Sequence, residues 1–379
     1  MIGLTGVPLQ VTVVVVALAA IVAAVRFAPR VAGGRAAHVL ARLGLVLGCQ
    51  ICVVVAMLDL VNVSFDFYGS WGDLVGTSPV TNGPGDPLAL GPGGAGASAG
   101  PIAAVSPDSS APQYRLPAGQ GRIDDVVIHG ARTLISTPAF VYLPPEYLMA
   151  ADRTRRFPVT VAFTGYPGNA QNLITHLRLP QTAAREIAAG RMPPTVIVML
   201  RPTIAPPRDT ECTDVPNGPQ TETFFAEDVP AALASAYRTA QHASGWSTMG
   251  DSTGGYCAIK LAMRHSDRYS AAASLAGYYR ALQDITTGDL YGHSKPYREE
   301  NDLLWRLRHR PPPPVNLLLT TSRVGEKNYA QTRRFLALAR PPTHVASITL
   351  AFGGHHFSTW QRELPSALHW LGTHLKPGG

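Results

Sequence analysis

A serine with glycine two places before it and two places after it, in Met249-Gly250-Asp251-Ser252-Thr253-Gly254-Gly255-Tyr256, constrains this chain more than any other feature. It falls where a short strand should turn sharply into a helix. Side chains at 250 and 254 would collide with neighbouring backbone on such a turn, which is the steric reason for glycine at both places. The turn holds Ser252 in a strained conformation with its hydroxyl clear of both backbones. The amide of Thr253, at the start of the helix, then faces the charge that develops on an attacked carbonyl oxygen. An ordinary Gly-rich turn satisfies the same pattern, so the reading depends on partners further along the chain.

A serine on this turn needs an acid and then a histidine after later strands. Residues 314–320, Pro-Val-Asn-Leu-Leu-Leu-Thr, follow a run of prolines and read as a buried parallel strand, with Glu326 in the polar loop beyond. Residues 346–352 read as the next strand and end in Gly353-Gly354-His355-His356-Phe357. His355 is the preferred general base, able to take the hydroxyl proton and return it to a leaving group, with Glu326 fixing its tautomer. His356 is the rival, expected to point the other way. Asp284, Asp289, Glu299, Glu300 and Asp302 compete with Glu326 but fall in a polar stretch away from a strand end. A solvated Glu326 beside Arg323 and Lys327 is the alternative without chemistry. A second amide for the oxyanion is expected from the loop after residues 158–164, that of Tyr166 in Gly165-Tyr166-Pro167-Gly168, although a plain Gly/Pro turn reads equally well there.

With Val141-Tyr142-Leu143-Pro144-Pro145, Phe163-Thr164-Gly165-Tyr166-Pro167-Gly168, the 250–255 elbow, and Gly353-Gly354-His355 followed by Trp360, the chain from about residue 123 to 375 resembles the putative esterase family of α/β-hydrolases, which includes esterase D-type enzymes and mycolyltransferases. The resemblance implies an α/β-hydrolase fold, Ser252, Glu326 and His355 as catalytic triad, and the amides of Tyr166 and Thr253 as oxyanion hole. It implies an esterase or acyltransferase with an acyl ester substrate and no cofactor. The chain departs from the family pattern at Thr164-Gly165, where His-Gly is usual, and the alignment of Glu326 is not fixed. A hydrolase-like binding protein with a decayed site is a third reading, opposed by the intact serine, histidine and glycines.

The 379 residues are 46% hydrophobic and 15% charged, too apolar for one soluble domain and too long for one membrane segment, so both are expected. Residues 2–25 carry no charge and are long enough to span a bilayer; a secretory signal is disfavoured because no basic segment precedes them. Residues 43–58, extended by 60–63, return across it. Arg26, Arg30, Arg35 and Arg42 lie between with no acid among them, placing that loop in the cytoplasm and everything after residue 65 outside. Phe65, Phe67, Tyr68 and Trp71 suit an interfacial aromatic belt. The net charge of +7 comes without aromatic-basic interleaving, so no nucleic-acid partner is expected.

The domain reading is therefore a membrane anchor at 1–65, an interfacial segment and Gly/Pro/Ala/Ser-rich linker without regular structure at 66–121, and a catalytic domain at 122–379. There, strands alternating with helices near 226–241, 254–264, 329–339 and 361–375 imply a mostly parallel sheet covered on both faces. Cys49 and Cys52 fall in the second apolar run as packing residues. Cys212 and Cys257 follow strands expected to be sheet neighbours, which makes a disulfide between them sensible; two buried free thiols are the alternative. Residues 278–314 read as a cap whose Tyr278, Tyr279, Tyr291 and Trp305 either line a pocket or pack. No spacing of metal ligands is present.

Overall fold

The structure, a computed structural model, describes residues 4, 6–31, 33–65, 71, 81–82, 86–87, 101–106, 114–205 and 208–376. It divides into two units, residues 1–78 and 79–379.

The first unit is a pair of helices, α1 (Val7–Phe27) and α2 (Ala36–Phe65), packed against one another. Pro8 in the first turn of α1 loses nothing by lacking an N–H there. Both helices are long and apolar enough to cross a membrane, and only 6% and 11% of their most apolar windows are buried within the protein. Phe67 and Tyr68 of the expected aromatic belt lie outside the described residues.

The second unit is built on a nine-stranded sheet. Its strands are β1 (Ile102–Ser106), β2 (Arg122–His129), β3 (Ser136–Leu143), β4 (Val159–Phe163), β5 (Val196–Leu200), β6 (Trp246–Asp251), β7 (Ala271–Leu275), β8 (Asn316–Val324) and β9 (His344–Phe352), in the order β9-β8-β7-β6-β4-β5-β3-β2-β1. The strands from β4 to β9 run parallel, and β3, β2 and β1 continue the sheet antiparallel. The helices of six or more residues here are α3 (Leu179–Ala188), α4 (Val229–Ala236), α5 (Thr253–Arg264), α6 (Lys295–Glu300), α7 (Leu303–His309), α8 (Tyr329–Leu338) and α9 (Phe357–His374). The central strands are apolar on both sides because helices cover both faces: Val159, Val161 and Phe163 of β4 enter one core layer and Ala162 the other. The chain passes from β4 to β5 on one side and then back to β6 on the other. That reversal opens a crevice at the carboxyl ends of β4 and β6, where parallel sheets bind ligands.

Four expectations are corrected. Ile102–Ser106, inside the stretch read as a linker without regular structure, pairs with β2 and forms the sheet edge; Ile102 and Val105 are β-branched residues suited to a strand, in a stretch otherwise dominated by Gly, Pro and small residues. The strands before Cys212 and Cys257 are not neighbours, because β4 lies between β5 and β6. The two cysteines are nevertheless bonded, with Cα atoms 5.7 Å apart, because the loop after β5 folds over α5. There the buried Lys260 ammonium donates to the Cys212 carbonyl at 2.8 Å and Thr213 Oγ1 at 2.9 Å. The helix expected at 226–241 runs from Thr221 to Ala236, with one widened turn at Phe224–Asp228. It stops there because Tyr237 turns extended and the Ala240 N–H reaches the Phe157 carbonyl at 2.8 Å. The last helix starts at Phe357 instead of residue 361, capped by His356.

Candidate active site

Backbone crowding at the end of β6 builds the site. A Cβ at Gly250 would lie 2.4 Å from the Gly254 carbonyl carbon, and one at Gly254 would lie 2.3 Å from the Phe163 carbonyl oxygen, so strand, turn and helix close only with glycine at both. Between them Ser252 has φ 52 and ψ −119, a conformation most side chains avoid. Its N–H donates to the Leu275 carbonyl at 3.0 Å, which pins the turn to β7. α5 begins at Thr253, so its first amides stand at the positive end of a helix.

The loops after β8 and β9 are brought together by a second close approach. Gly325 adopts φ +100, and a Cβ there would lie 2.3 Å from the Gly353 carbonyl oxygen. The Gly353 N–H donates to the Val324 carbonyl at 3.0 Å. Glu326 therefore stands against His355, with His355 Nδ1 3.1 Å from Glu326 Oε2 and His355 Nε2 2.8 Å from Ser252 Oγ. Serine, imidazole and carboxylate form one continuous line. The Glu326 side chain is 2% exposed, so it is not the solvated loop acid that its neighbours Arg323 and Lys327 suggested. The imidazole of His355 is 47% exposed and open to water. His356 turns away: its Nδ1 lies 2.8 Å from Ser358 Oγ and accepts from the Thr359 N–H, capping α9.

Tyr166 stands in the loop after β4, beside the elbow. Thr253 is braced through its side chain: the Tyr278 hydroxyl lies 2.8 Å from Thr253 Oγ1 and donates to the Glu211 carboxyl at 2.7 Å. Burial holds the Glu211 carboxyl well above the ordinary range, with the charge of Asp209 adding to the shift. Of the four cap aromatics, Tyr278 joins this network, and Tyr279 packs in the core with its hydroxyl on Thr332 Oγ1. Tyr291 and Trp305 line a polar cavity of about 570 Å³ together with Arg280 and Arg298.

Two further buried acids lie close by, and the sequence reading gave neither a role. Asp251 fills the place before Ser252, and its Oδ2 accepts the Gly165 N–H at 2.9 Å. Burial pushes its carboxyl up to about 7, against the lowering effect of that hydrogen bond and of His355. Glu363 on α9 accepts from Thr320 Oγ1 at 2.6 Å and is likewise pushed up to about 7, by burial first and then by the charge of Glu326. Asp251 was findable, since an acid between the elbow glycine and the serine is visible in the motif itself. Glu363 carries no local signal. Among the described residues no group of three or more His, Cys, Asp or Glu stands where it could hold a metal ion.

A protein-family comparison matches residues 135–371 to the family described as putative esterase. An uncharacterized protein of Corynebacterium glutamicum is 22% identical over 262 residues, covering 64% of this chain and 57% of the relative; the chain thus spans little more than half the length of the curated relative it matches. Among solved structures, a ferulic acid esterase superposes with a TM-score of 0.57 at 16% identity, over 68% of this chain and 100% of that one. An S-formylglutathione hydrolase of Agrobacterium tumefaciens gives a TM-score of 0.57 at 13% identity over 69% and 98%. A fluorophosphonate-binding serine hydrolase of Staphylococcus aureus gives 0.54 at 13% over 66% and 98%. At such identities the likeness is one of fold.

Proposed function

The chain belongs to the putative esterase family, and on that premise we propose that it is a serine esterase that cleaves an acyl ester through an acyl-enzyme on Ser252. The observation that carries the reading is the line Ser252 Oγ to His355 Nε2 at 2.8 Å and His355 Nδ1 to Glu326 at 3.1 Å. The Ser252 hydroxyl attacks the ester carbonyl as its proton passes to Nε2, and the buried carboxylate of Glu326 offsets the positive charge that the imidazole gains. The amides of Tyr166 and Thr253 receive the oxyanion; each such donor is worth about 10² to 10³ in rate. The departing alkoxide takes the proton back. A water molecule, deprotonated by the same nitrogen, then releases the acid. The exposure of the His355 imidazole favours water over a sugar hydroxyl as the second nucleophile, hence hydrolysis over acyl transfer.

α1 and α2 serve as a two-helix membrane anchor with the catalytic unit on the extracytoplasmic side. Their apolar, largely unburied surfaces and the arginines between them support this. A tethered enzyme of this kind suits an acyl ester in the cell envelope, a lipid or an acylated glycan. The test uses the full chain in detergent: a fluorophosphonate should label it, Ser252→Ala should abolish both labelling and hydrolysis of a short acyl ester, and labelling that survives the substitution would sink the assignment. For topology, a membrane-impermeant thiol reagent should reach Gly100→Cys from outside intact cells. Modification only after the cytoplasm is opened would reverse the orientation.

A further inference from the structure

The backbone pairing of β4 with β6 ends at Phe163 opposite Gly250. The loop after β4 is anchored on both sides just past that point. The Thr164 N–H donates to the Leu200 carbonyl of β5 at 3.1 Å, and the Gly165 N–H donates to Asp251 Oδ2 at 2.9 Å. Asp251 thus continues with its side chain the ladder that the backbone has abandoned. The next residue in the loop is Tyr166, and Pro167 after it has no N–H to offer. Fixing the 164–165 peptide leaves only the two Gly165 torsions between that anchor and the Tyr166 amide.

We propose that Asp251 is a positioning residue for the oxyanion loop: by taking the Gly165 N–H it orients the Tyr166 amide toward the carbonyl attacked by Ser252. This rests on the esterase reading and assigns a role to a residue outside the triad. Asp251 is 1% exposed, and its other oxygen, Oδ1, has no hydrogen-bond partner. A buried carboxyl so sparsely satisfied is expensive for a residue that only fills space. An apolar side chain would close the same volume without that cost, so the acceptor itself is what the position supplies. Burial also pushes the carboxyl up to about 7, which keeps much of it neutral near neutrality; a neutral carboxyl still accepts from Gly165 through its carbonyl oxygen.

The test compares Asp251→Ala, which removes the acceptor, with Asp251→Asn, which keeps a neutral one, in the full detergent-solubilised chain. Active sites are counted by fluorophosphonate titration, so that only folded protein is scored. Asp251→Ala should lower kcat about 10- to 100-fold with KM little changed, and slow the rate of phosphonylation in step, because the misplaced amide serves the transition state and not the bound ester. Asp251→Asn should stay within about fivefold of wild type. If the cavity left by alanine unfolds the protein, Asp251→Val fills the space without a lone pair and is read in the same way. An alanine or valine variant with undiminished kcat per titrated site, or an asparagine variant that falls as far as they do, overturns the inference. A wild-type chain that neither labels nor hydrolyses any ester would overturn the esterase reading, and this inference with it.

Discussion

Among the described residues, two histidines pair with buried carboxylates at similar separations but in different surroundings. His265 Nε2 is 2.8 Å from Glu222 Oε1, and His355 Nδ1 is 3.1 Å from Glu326 Oε2. Both acids are buried. Glu222 is surrounded by cations: Arg264 bonds the same oxygen as His265, and the fully buried Lys260 ammonium is 3.4 Å from the other. Burial alone would raise its carboxyl, but Lys260, the His265 hydrogen bond and Arg264 together hold it well below the ordinary range. Glu326 meets a single imidazole, and its Oε1 has no hydrogen-bond partner. The imidazole in turn presents its second nitrogen to a serine hydroxyl. The charge of Glu222 is spent on holding the start of the helix Thr221–Ala236 to α5. Glu326 is directed at the one imidazole that also faces Ser252.

The comparison breaks most easily at the histidines. His355→Gln should lower kcat/KM by about 10³- to 10⁴-fold at unchanged melting temperature, whereas His265→Gln should leave turnover per active site within a few-fold; equal losses would erase the distinction. At the acids the expectation inverts. Glu222→Gln leaves Lys260 buried without its counter-charge and should remove about 3 to 5 kcal/mol, or about 10 °C of melting temperature, while sites that remain folded turn over normally. A melting temperature unchanged by Glu222→Gln would show that Lys260 is satisfied by the Cys212 carbonyl and Thr213 alone.

The same contrast explains what could be read from the chain before its coordinates. Ser252, Glu326 and His355 stand at strand ends punctuated by glycine, and a turn that only glycine can make leaves a local mark, as Gly250, Gly254 and Gly325 do. The Glu222 cluster leaves none. Glu222 is 38 to 43 residues from Lys260, Arg264 and His265 in sequence and meets them only because the chain after β5 folds over α5. Sheet order is equally silent: that β4 lies between β5 and β6 follows from crossovers, not from any strand's composition. Cys212 and Cys257 were paired on a premise the sheet contradicts, yet they meet through the loop after β5. Breaking their bond tests how far the loop depends on it. Closing a loop across a separation of 45 residues is worth about 3 to 4 kcal/mol by the chain-entropy argument, so Cys212→Ala with Cys257→Ala should lose up to that amount. A loss well below 1 kcal/mol in thermal or urea unfolding would mean that the Lys260 contacts hold the loop unaided.

The smallest expected effect separates the two acids by the sign of their pH dependence. Glu222 has its carboxyl depressed when folded, so its stabilisation is present above its ordinary value of 4.5 and is lost as pH falls. Glu363, beside Glu326, is the opposite case. Its folded value of about 7 lies above 4.5, so folding is penalised progressively as pH rises from about 4.5 to 7 and by a constant amount beyond. At 1.36 kcal/mol per unit the full penalty is at most about 3.4 kcal/mol. Glu363→Gln, which cannot ionise but can still accept from Thr320, should therefore melt with the wild type near pH 4, above it by a margin that widens to pH 7, and above it by a fixed margin at pH 8 to 9. A margin independent of pH would mean that the Glu363 carboxyl titrates alike in the folded and unfolded chain and is ionised at neutral pH. Glu326 would then share its charge with a second carboxylate, and its surroundings would differ from those of Glu222 in more than the missing cations.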